Sequence, residues 1–292
     1  MAPHMPAAAN LRGAAFMVAS MTGFAIEDAL FKSLTATLPP GYVLTLFGLS
    51  GLVVFALASA FAREPVLSAE MRRPRLLLRS GFEIAGRLFF ALALAFVPLA
   101  TTSAILQATP LVVIAGAALV LGERVGARRW AAVAAGFAGV LLILRPVPGD
   151  FSPTALFAVA ATLGFAGRDL ATRMSPPAVS ARQLGTLGFI VVTCAGLVLL
   201  GWDDAPPRWL DAGEALRVAL TGLVGAGAYG ALTLAMRTGE VSAVTPFRYA
   251  RLLVALVFAL VVFGERPDGL TLLGAGIIVL SGLIVLRRKQ PR

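Results

Sequence analysis

Ten apolar runs, each about as long as a membrane-spanning helix, make up most of this 292-residue sequence. A helix needs roughly 20 predominantly apolar residues to cross about 30 Å of hydrocarbon. Short connections separate the runs, and several contain Pro or Gly, which interrupt helices. The runs cover residues 12–31, 41–61, 76–97, 100–121, 129–145, 153–171, 183–202, 214–236, 242–263 and 269–286.

The composition agrees with a chain dissolved in lipid. Hydrophobic residues make up 58% of the sequence and charged residues 14%, which lies outside the usual composition of soluble domains. The net charge of +10 comes mostly from Lys and Arg in the short connections, and they form no continuous basic face. Nucleic-acid binding is therefore not expected. We expect an all-α integral membrane protein.

Segments of the first half of the chain recur in the second half. Ala14–Asp28 aligns without gaps on Ala155–Asp169, and Leu121–Arg124 aligns on Phe263–Arg266. This internal similarity predicts two related halves of five helices each. The predicted division is a cytoplasmic tail at 1–11, a first repeat at 12–146, a linker at 147–152, a second repeat at 153–287 and a basic cytoplasmic tail at 288–292.

Five is an odd number, so the second repeat must enter the membrane in the opposite direction from the first. The prediction is thus ten transmembrane helices in two five-helix inverted-topology repeats, an arrangement typical of secondary transporters. Positive charge supports this topology independently. With a cytoplasmic N-terminus, the inner segments hold fifteen Lys and Arg residues and the outer segments hold five. By the positive-inside rule, both termini are expected in the cytoplasm.

Charged residues inside the apolar runs are the strongest candidates for function, because each costs several kcal/mol in lipid unless it is paired or hydrated. Glu83 and Arg87 are four residues apart and are expected to share a helix face and pair with each other. Further candidates of this kind are Glu27, Asp28, Arg168, Asp169, Arg248 and Arg251.

Two interpretations of these charges stay open. Arg248 and Arg251 share a helix face, so they need an acidic partner or an anionic ligand. They either bind a substrate carboxylate or form a structural pair with Asp28 or Glu83. The pairs Glu27–Asp28 and Arg168–Asp169 lie near predicted helix ends. Asp28, Arg168 and Asp169 are candidates for gating or coupling, and an interfacial ion pair is the structural alternative.

Two polar residues and two prolines complete the candidate site. Tyr249 and its repeat counterpart Gln107 are expected at one level of the bundle, where they contact substrate or hydrogen-bond across helices. Pro110 and Pro246 each remove a backbone donor and are expected to bend their helices. A bent helix can expose carbonyl groups to a ligand, although membrane helices also tolerate Pro without any binding role.

Several classes of chemistry are excluded by the residues present. The sequence has one cysteine, Cys194, and one histidine, His4, so we expect no metal site and no disulfide. Gly225, Gly227 and Gly230 spell G-x-G-x-x-G, but they lie inside an apolar run with no preceding strand, so small-residue helix packing explains them better than a dinucleotide site. No phosphate-binding loop or hydrolase motif occurs. We expect no cofactor and no enzymatic activity.

Three local patterns together resemble the drug/metabolite transporter superfamily, in its EamA-domain branch. They are the duplicated five-helix pattern, Pro98-Leu99-Ala100 before the fourth run, and a Gly-Glu-Arg at the ends of the fourth and ninth runs. The resemblance implies a transporter with a central cavity lined mainly by runs 1, 3, 4, 6, 8 and 9. It also gives Glu123 and Glu265 a structural role at helix ends, paired with Arg124, Arg128 or Arg266.

We therefore expect a multi-pass protein of the cytoplasmic membrane, a monomer or homodimer, that exports a small polar metabolite by alternating access. An amino acid or a derivative is the first candidate. Arg248 or Arg251 would meet its anionic group, Tyr249 and Gln107 would hydrogen-bond the remainder, and Asp28 or Glu83 would balance charge or carry a proton. The alternatives are a passive facilitator or channel, and an uptake carrier for a nucleotide-like compound or an organic cation.

Overall fold

The computed structural model describes residues 7–120, 126–145, 152–173, 179–202, 208–238 and 245–286. Throughout these ranges the regular secondary structure is helical. Glu123, most of the predicted linker and tails, and the Pro pairs at 176–177 and 206–207 lie outside the described residues. The helices are α1 (Ala7–Thr35), α2 (Pro40–Phe61), α3 (Pro74–Phe96), α4 (Leu99–Leu106), α5 (Thr109–Val120), α6 (Ala127–Leu144), α7 (Leu156–Arg173), α8 (Ala181–Leu200), α9 (Ala212–Thr238), α10 (Ala250–Val261) and α11 (Gly269–Leu286).

Each predicted apolar run contains helix in the structure. Six helical stretches are long and apolar enough to cross a membrane, and two shorter apolar helices accompany them among the described residues. Three short 3₁₀ segments, Ala69–Arg72, Pro153–Ala155 and Thr245–Tyr249, lie between or before the longer helices. The prediction of an all-helical fold is therefore confirmed for these ranges, while the count of ten crossings stays a prediction.

Helices of the two halves pack against each other in a regular scheme. The most extensive pairings are α1 with α9, α2 with α8, α3 with α7, and α6 with α11. Each pair joins a helix of the first half to a helix of the second. If each helix is replaced by its counterpart in the other half, the α1–α9 pair becomes the α7–α3 pair. The α2–α8 and α6–α11 pairs each consist of two counterparts and stay the same. The packing thus follows the repeat that the sequence contains.

Glycines allow the closest of these contacts. A Cβ atom built on Gly164 of α7 would lie 2.6 Å from the backbone Cα of Gly86 on α3, so the two helices touch through their backbones. Gly139 of α6 and Gly274 of α11 meet in a similar way. The packing prediction for the G-x-G-x-x-G stretch is correct only for its first glycine. Gly225 packs against α1 and α2, whereas Gly227 and Gly230 have open space beside them.

Both halves depart from regular α-helix at about corresponding positions. In the first half α4 ends at Leu106, Gln107 and Ala108 form a turn, and α5 begins at Thr109. Pro110 explains this break, since its ring clashes with the carbonyl group four residues earlier. In the second half the 3₁₀ segment Thr245–Tyr249, which includes Pro246, leads directly into α10.

Candidate functional site

A network of ionisable side chains lies in the interior where four segments meet. We call it the buried ion network. Its anions and cations come from α1, α3, α7 and the junction of the 3₁₀ segment with α10. Its members are Glu27, Asp28, Arg79, Glu83, Arg87, Arg168, Asp169, Arg248 and Arg251. All eight charges predicted from the apolar runs form an ion pair with a residue of another segment here.

Arg251 binds Asp28 with two nitrogen atoms. Its Nη2 lies 2.7 Å from both carboxylate oxygens and its Nε 2.9 Å from one of them. The guanidinium is flanked by the rings of Phe24 and Phe90, with ring centroids 5.3 Å and 5.4 Å away. Bidentate arginine–carboxylate pairs are among the strongest hydrogen-bonded ion pairs in proteins. Of the two interpretations of Arg251, the structure shows the structural pair with Asp28.

Glu83 and Arg87 form ion pairs with other residues than predicted. Glu83 lies 3.0 Å from Arg79, one turn earlier on α3, and 3.5 Å from Arg168 on α7. Arg87 instead lies 3.4 Å from Glu27 on α1. The expected Glu83–Arg87 pair is therefore wrong. Sequence spacing puts two arginines within one turn of Glu83. Only the packing of α1 and α7 against α3 decides that one of them, Arg87, pairs with Glu27 instead.

Arg79 is a member of the site that sequence reasoning missed. It lies three residues into the third apolar run and was not among the predicted candidates. Its side chain is only 6% exposed. A signal was present, because Arg79 and Arg87 stand symmetrically four residues to either side of Glu83.

Arg248 has the longest ion pair of the network. Its Nη1 lies 3.8 Å from Asp169, which also accepts a 2.8 Å hydrogen bond from its neighbour Arg168. Arg248 Nε has no partner among the residues described. The network contains five guanidinium groups and four carboxylates, so one positive charge is in excess. Because its ion pair is the longest of the network and its Nε is unpaired, Arg248 is the first candidate for binding a further anionic group.

Gln107 and Tyr249 meet as predicted, but through backbone atoms. Gln107 Nε2 donates long hydrogen bonds of 3.5 Å to the carbonyl oxygens of Arg248 and Tyr249. The turn after α4 thus contacts the 3₁₀ segment that precedes α10. The Tyr249 hydroxyl lies against Gly282 of α11 and has no hydrogen-bond partner within the described part of the chain.

A small cavity with room for about one water molecule lies beside the network, between α1, α2 and α3. Glu27 and Arg87 form its polar part, and the rings of Phe31, Phe47 and Phe90 form much of its apolar wall together with three aliphatic side chains. This small cavity includes Phe47 of α2, and the central cavity that the resemblance implied, lined mainly by runs 1, 3, 4, 6, 8 and 9, stays a prediction. The three phenylalanines were not predicted, since nothing separates them in sequence from other apolar residues.

Glu265, which follows α10, is hydrogen-bonded to the start of α4. Its oxygens accept hydrogen bonds of 2.9 Å and 3.1 Å from the backbone N–H groups of Leu99 and Ala100. Lys32 lies 3.7 Å from Glu265 and donates to the carbonyl oxygens at the end of α3. Glu265 therefore fixes a helix end as expected, but its partners are Lys32 and a helix N-terminus instead of an arginine. The two motifs Pro-Leu-Ala and Gly-Glu-Arg are in contact.

At the protein surface Asp268 precedes the first turn of α11. The backbone N–H of Thr271 and the guanidinium of Arg145 both donate to it and lower its pKa from 3.8 to about 2. No group of three or more His, Cys, Asp and Glu side chains is arranged as metal ligands in the part of the chain that the structure describes.

Comparison with known proteins agrees with this architecture. Residues 11–145 and 152–287 each match the EamA-like transporter family. A riboflavin transporter of Rhizobium johnstonii is 33% identical over 203 residues, which are 68% of this chain and 65% of that protein. A riboflavin transporter of Vibrio cholerae is 30% identical over 278 residues, 93% of this chain and 91% of that protein.

A third relative has a different substrate. The S-adenosylmethionine uptake transporter of Rickettsia prowazekii is 24% identical over 281 residues, 94% of this chain and 92% of that protein. The relatives are transporters and not enzymes. Both halves of the sequence match one family, and the packing of the helices follows the same duplication, so this chain belongs to the EamA-like transporter family.

Proposed function

We propose that this chain is a secondary transporter that moves a small polar metabolite across the cytoplasmic membrane by alternating access. The observation that carries the proposal is the buried ion network. It joins the two family repeats through the pairs Arg251–Asp28 and Arg168–Glu83, at 2.7 Å and 3.5 Å. In lipid such charges are costly unless they are paired or line a polar path, so their concentration at the interface of the repeats favours a transport path there.

The proposed movement is a rearrangement of one repeat against the other. The two ion pairs between the halves connect helices that lie at the repeat interface. Secondary transporters move by rocking one repeat against the other around a site near the midplane of the membrane. Ion pairs between the halves can break and reform as discrete contacts during such a motion. The turn at Gln107 and the 3₁₀ segment that ends at Tyr249 provide backbone groups at the same interface.

Riboflavin is the first substrate to test, because two relatives with at least 30% identity carry that name. An amino acid or a derivative is the second candidate. The excess guanidinium of the network, which we assign to Arg248, suits a substrate carboxylate, and one relative moves S-adenosylmethionine. In this proposal Arg248 contacts substrate, whereas Arg251 positions α1 through Asp28. Export, as expected from the sequence, stays a proposal.

Counterflow in proteoliposomes tests the function. Vesicles containing the purified protein are loaded with unlabelled riboflavin, or with a mixture of amino acids, and labelled compound is added outside. A secondary transporter is expected to accumulate label transiently and to saturate with concentration. Flux without counterflow or saturation would indicate a passive channel, and no flux of any tested metabolite above protein-free vesicles would contradict the proposal.

A further inference from the structure

The carboxylate of Glu265 belongs to the second family repeat, yet the donor groups that it contacts belong to the first. It accepts hydrogen bonds of 2.9 Å and 3.1 Å from the backbone N–H groups of Leu99 and Ala100. The ammonium group of Lys32 lies 3.7 Å from the same carboxylate. We call this arrangement the Glu265 contact. One side chain of the second repeat thus joins the start of α4 and the end of α1 in the first repeat.

The start of α4 has no capping side chain of its own. The residue before Leu99 is Pro98, whose ring offers no hydrogen-bond acceptor. The first N–H groups of a helix lack partners within the helix and carry partial positive charge. The carboxylate of the other repeat therefore takes the place of a local cap, so this helix end is satisfied only while the two repeats are in contact there.

Gly264 directs Glu265 towards α4. Its φ angle is +62°, a conformation that glycine adopts at no steric cost. Directly after this turn the backbone N–H of Glu265 donates a 2.8 Å hydrogen bond to the carbonyl oxygen of Ala259, which closes the end of α10. The Gly-Glu dipeptide of the motif thus has a physical reason, since Gly264 makes the turn and Glu265 makes the contact.

The Glu265 contact is more accessible to water than the strongest ion pair between the repeats. The side chains of Glu265 and Lys32 are each 16% exposed, whereas that of Asp28 in the Asp28–Arg251 pair is 1% exposed. Separation of a buried ion pair leaves charges without partners in apolar surroundings, which is strongly unfavourable. Water can replace the partners of a partly exposed carboxylate, so the Glu265 contact can open and close at a lower cost.

We propose that the Glu265 contact holds the two repeats together at the end of the bundle that the predicted topology places outside, and that it opens in the transport cycle while Asp28 and Arg251 stay paired. The inference rests on the transport function proposed above. Opening separates Glu265 from Lys32 and from the start of α4. Water then reaches, from that end, the small cavity that Ala91 and Leu94 of α3 help to line.

The test measures how fast cysteines in the interior react with a charged maleimide, in purified protein in lipid nanodiscs, with Cys194 replaced by Ala. Ala91→Cys reports on the cavity below the Glu265 contact, because Ala91 is 2% exposed and lies near the end of α3. Ser59→Cys is the control position. Ser59 is fully buried near the end of α2 that the predicted topology places in the cytoplasm.

Glu265→Gln is expected to speed the reaction at Ala91→Cys at least about tenfold, the factor that corresponds to loss of a hydrogen bond to a charged group. The amide NH₂ group of Gln meets N–H donors and an ammonium group, so the contact is weakened. The rate at Ser59→Cys is expected to stay unchanged.

Gly264→Ala disturbs the same contact without removing a charge. A Cβ atom there meets no described atom within 4 Å, but the positive φ angle is strained for Ala. The variant is expected to speed the reaction at Ala91→Cys at least about threefold, because the left-handed conformation costs an L-residue roughly 1–2 kcal/mol. Gly276→Ala on α11 is the matched control, since Gly276 also has open space beside it but no positive φ angle.

Unchanged reaction at Ala91→Cys in Glu265→Gln and Gly264→Ala would overturn the inference. Equal acceleration at Ser59→Cys would do the same, because it would show general loosening of the fold. If Glu265→Gln does not fold, Gly264→Ala decides. The labelling needs no substrate, so counterflow by the wild-type protein together with unchanged labelling would remove the role of Glu265 and leave the transport function standing.

Discussion

Glu27 and Asp28 are consecutive residues on α1, yet the structure neutralises them differently. Asp28 is 1% exposed and is held by two nitrogens of Arg251. Glu27 has a single contact of 3.4 Å with Arg87 and one unpaired oxygen beside a cavity. A fully paired carboxylate is suited to holding helices together, whereas an incompletely paired one can bind a further group. At the residue scale, the two neighbours are therefore paired differently, and we expect separate roles for them.

The first prediction concerns the Asp28–Arg251 pair. Arg251→Gln or Asp28→Asn alone is expected to lower the free energy of unfolding by about 3–5 kcal/mol, because each leaves a buried charge without its partner. The double variant is expected to lose clearly less than the sum of the two losses. Denaturant titration in detergent micelles measures all three.

Arg145→Gln is the matched control for that cycle. Arg145 pairs with Asp268 at the surface, where the two side chains are 28% and 49% exposed. Exposed ion pairs contribute less than about 1 kcal/mol to stability. The free energy of unfolding of this variant is therefore expected to be almost that of the wild-type protein. Additive losses in the Asp28 and Arg251 variants would mean that the two residues do not stabilise each other.

At the scale of elements, glycine contacts bring the site together. The backbones of α3 and α7 touch at Gly86 and Gly164, and this approach places Arg168 within 3.5 Å of Glu83. Near the other end of α3, Glu265 caps α4 and holds Lys32. Helix proximity therefore decides which charges can pair.

The second prediction tests the α3–α7 contact. Gly164→Ala puts a methyl group against backbone atoms that cannot rotate away, so α3 and α7 must separate. We expect a loss of about 1–3 kcal/mol in the free energy of unfolding. Gly81→Ala on α3 is the control, since a Cβ atom there meets nothing within 4 Å.

For Gly81→Ala the expected change is neutral or a gain of about 0.5–1 kcal/mol, because Ala favours helix over Gly. Both variants are compared in the same denaturant titration. If Gly164→Ala were as stable as Gly81→Ala, the backbone contact would not be tight in the folded protein.

At the scale of the whole molecule, the question is how the two repeats face the membrane. Exchange of the halves maps the helix pairs onto one another, and an inverted topology predicts that equivalent connections lie on opposite sides. Leu67 and Trp209 lie in the second connection of each repeat, and their exposed fractions are 63% and 96%.

The third prediction follows from that equivalence. With Cys194 replaced by Ala, Leu67→Cys is expected to react with a membrane-impermeant maleimide only from the cytoplasmic side, and Trp209→Cys only from the outer side. Labelling of intact cells, compared with inverted membrane vesicles, measures this. Labelling of both positions from the same side would contradict the inverted repeat.

The sequence by itself determined the helical membrane fold, the duplication and most of the buried charges. These follow from run length, local self-similarity and the rarity of charge in apolar stretches, all of which are local properties. Only the tertiary structure decided that Arg79 belongs to the buried ion network and which partners Glu83 and Arg87 have. It also decided that the cavity has an aromatic wall, formed by Phe31, Phe47 and Phe90. Several partners satisfy the spacing along one helix equally well, and only the close packing of neighbouring helices selects among them.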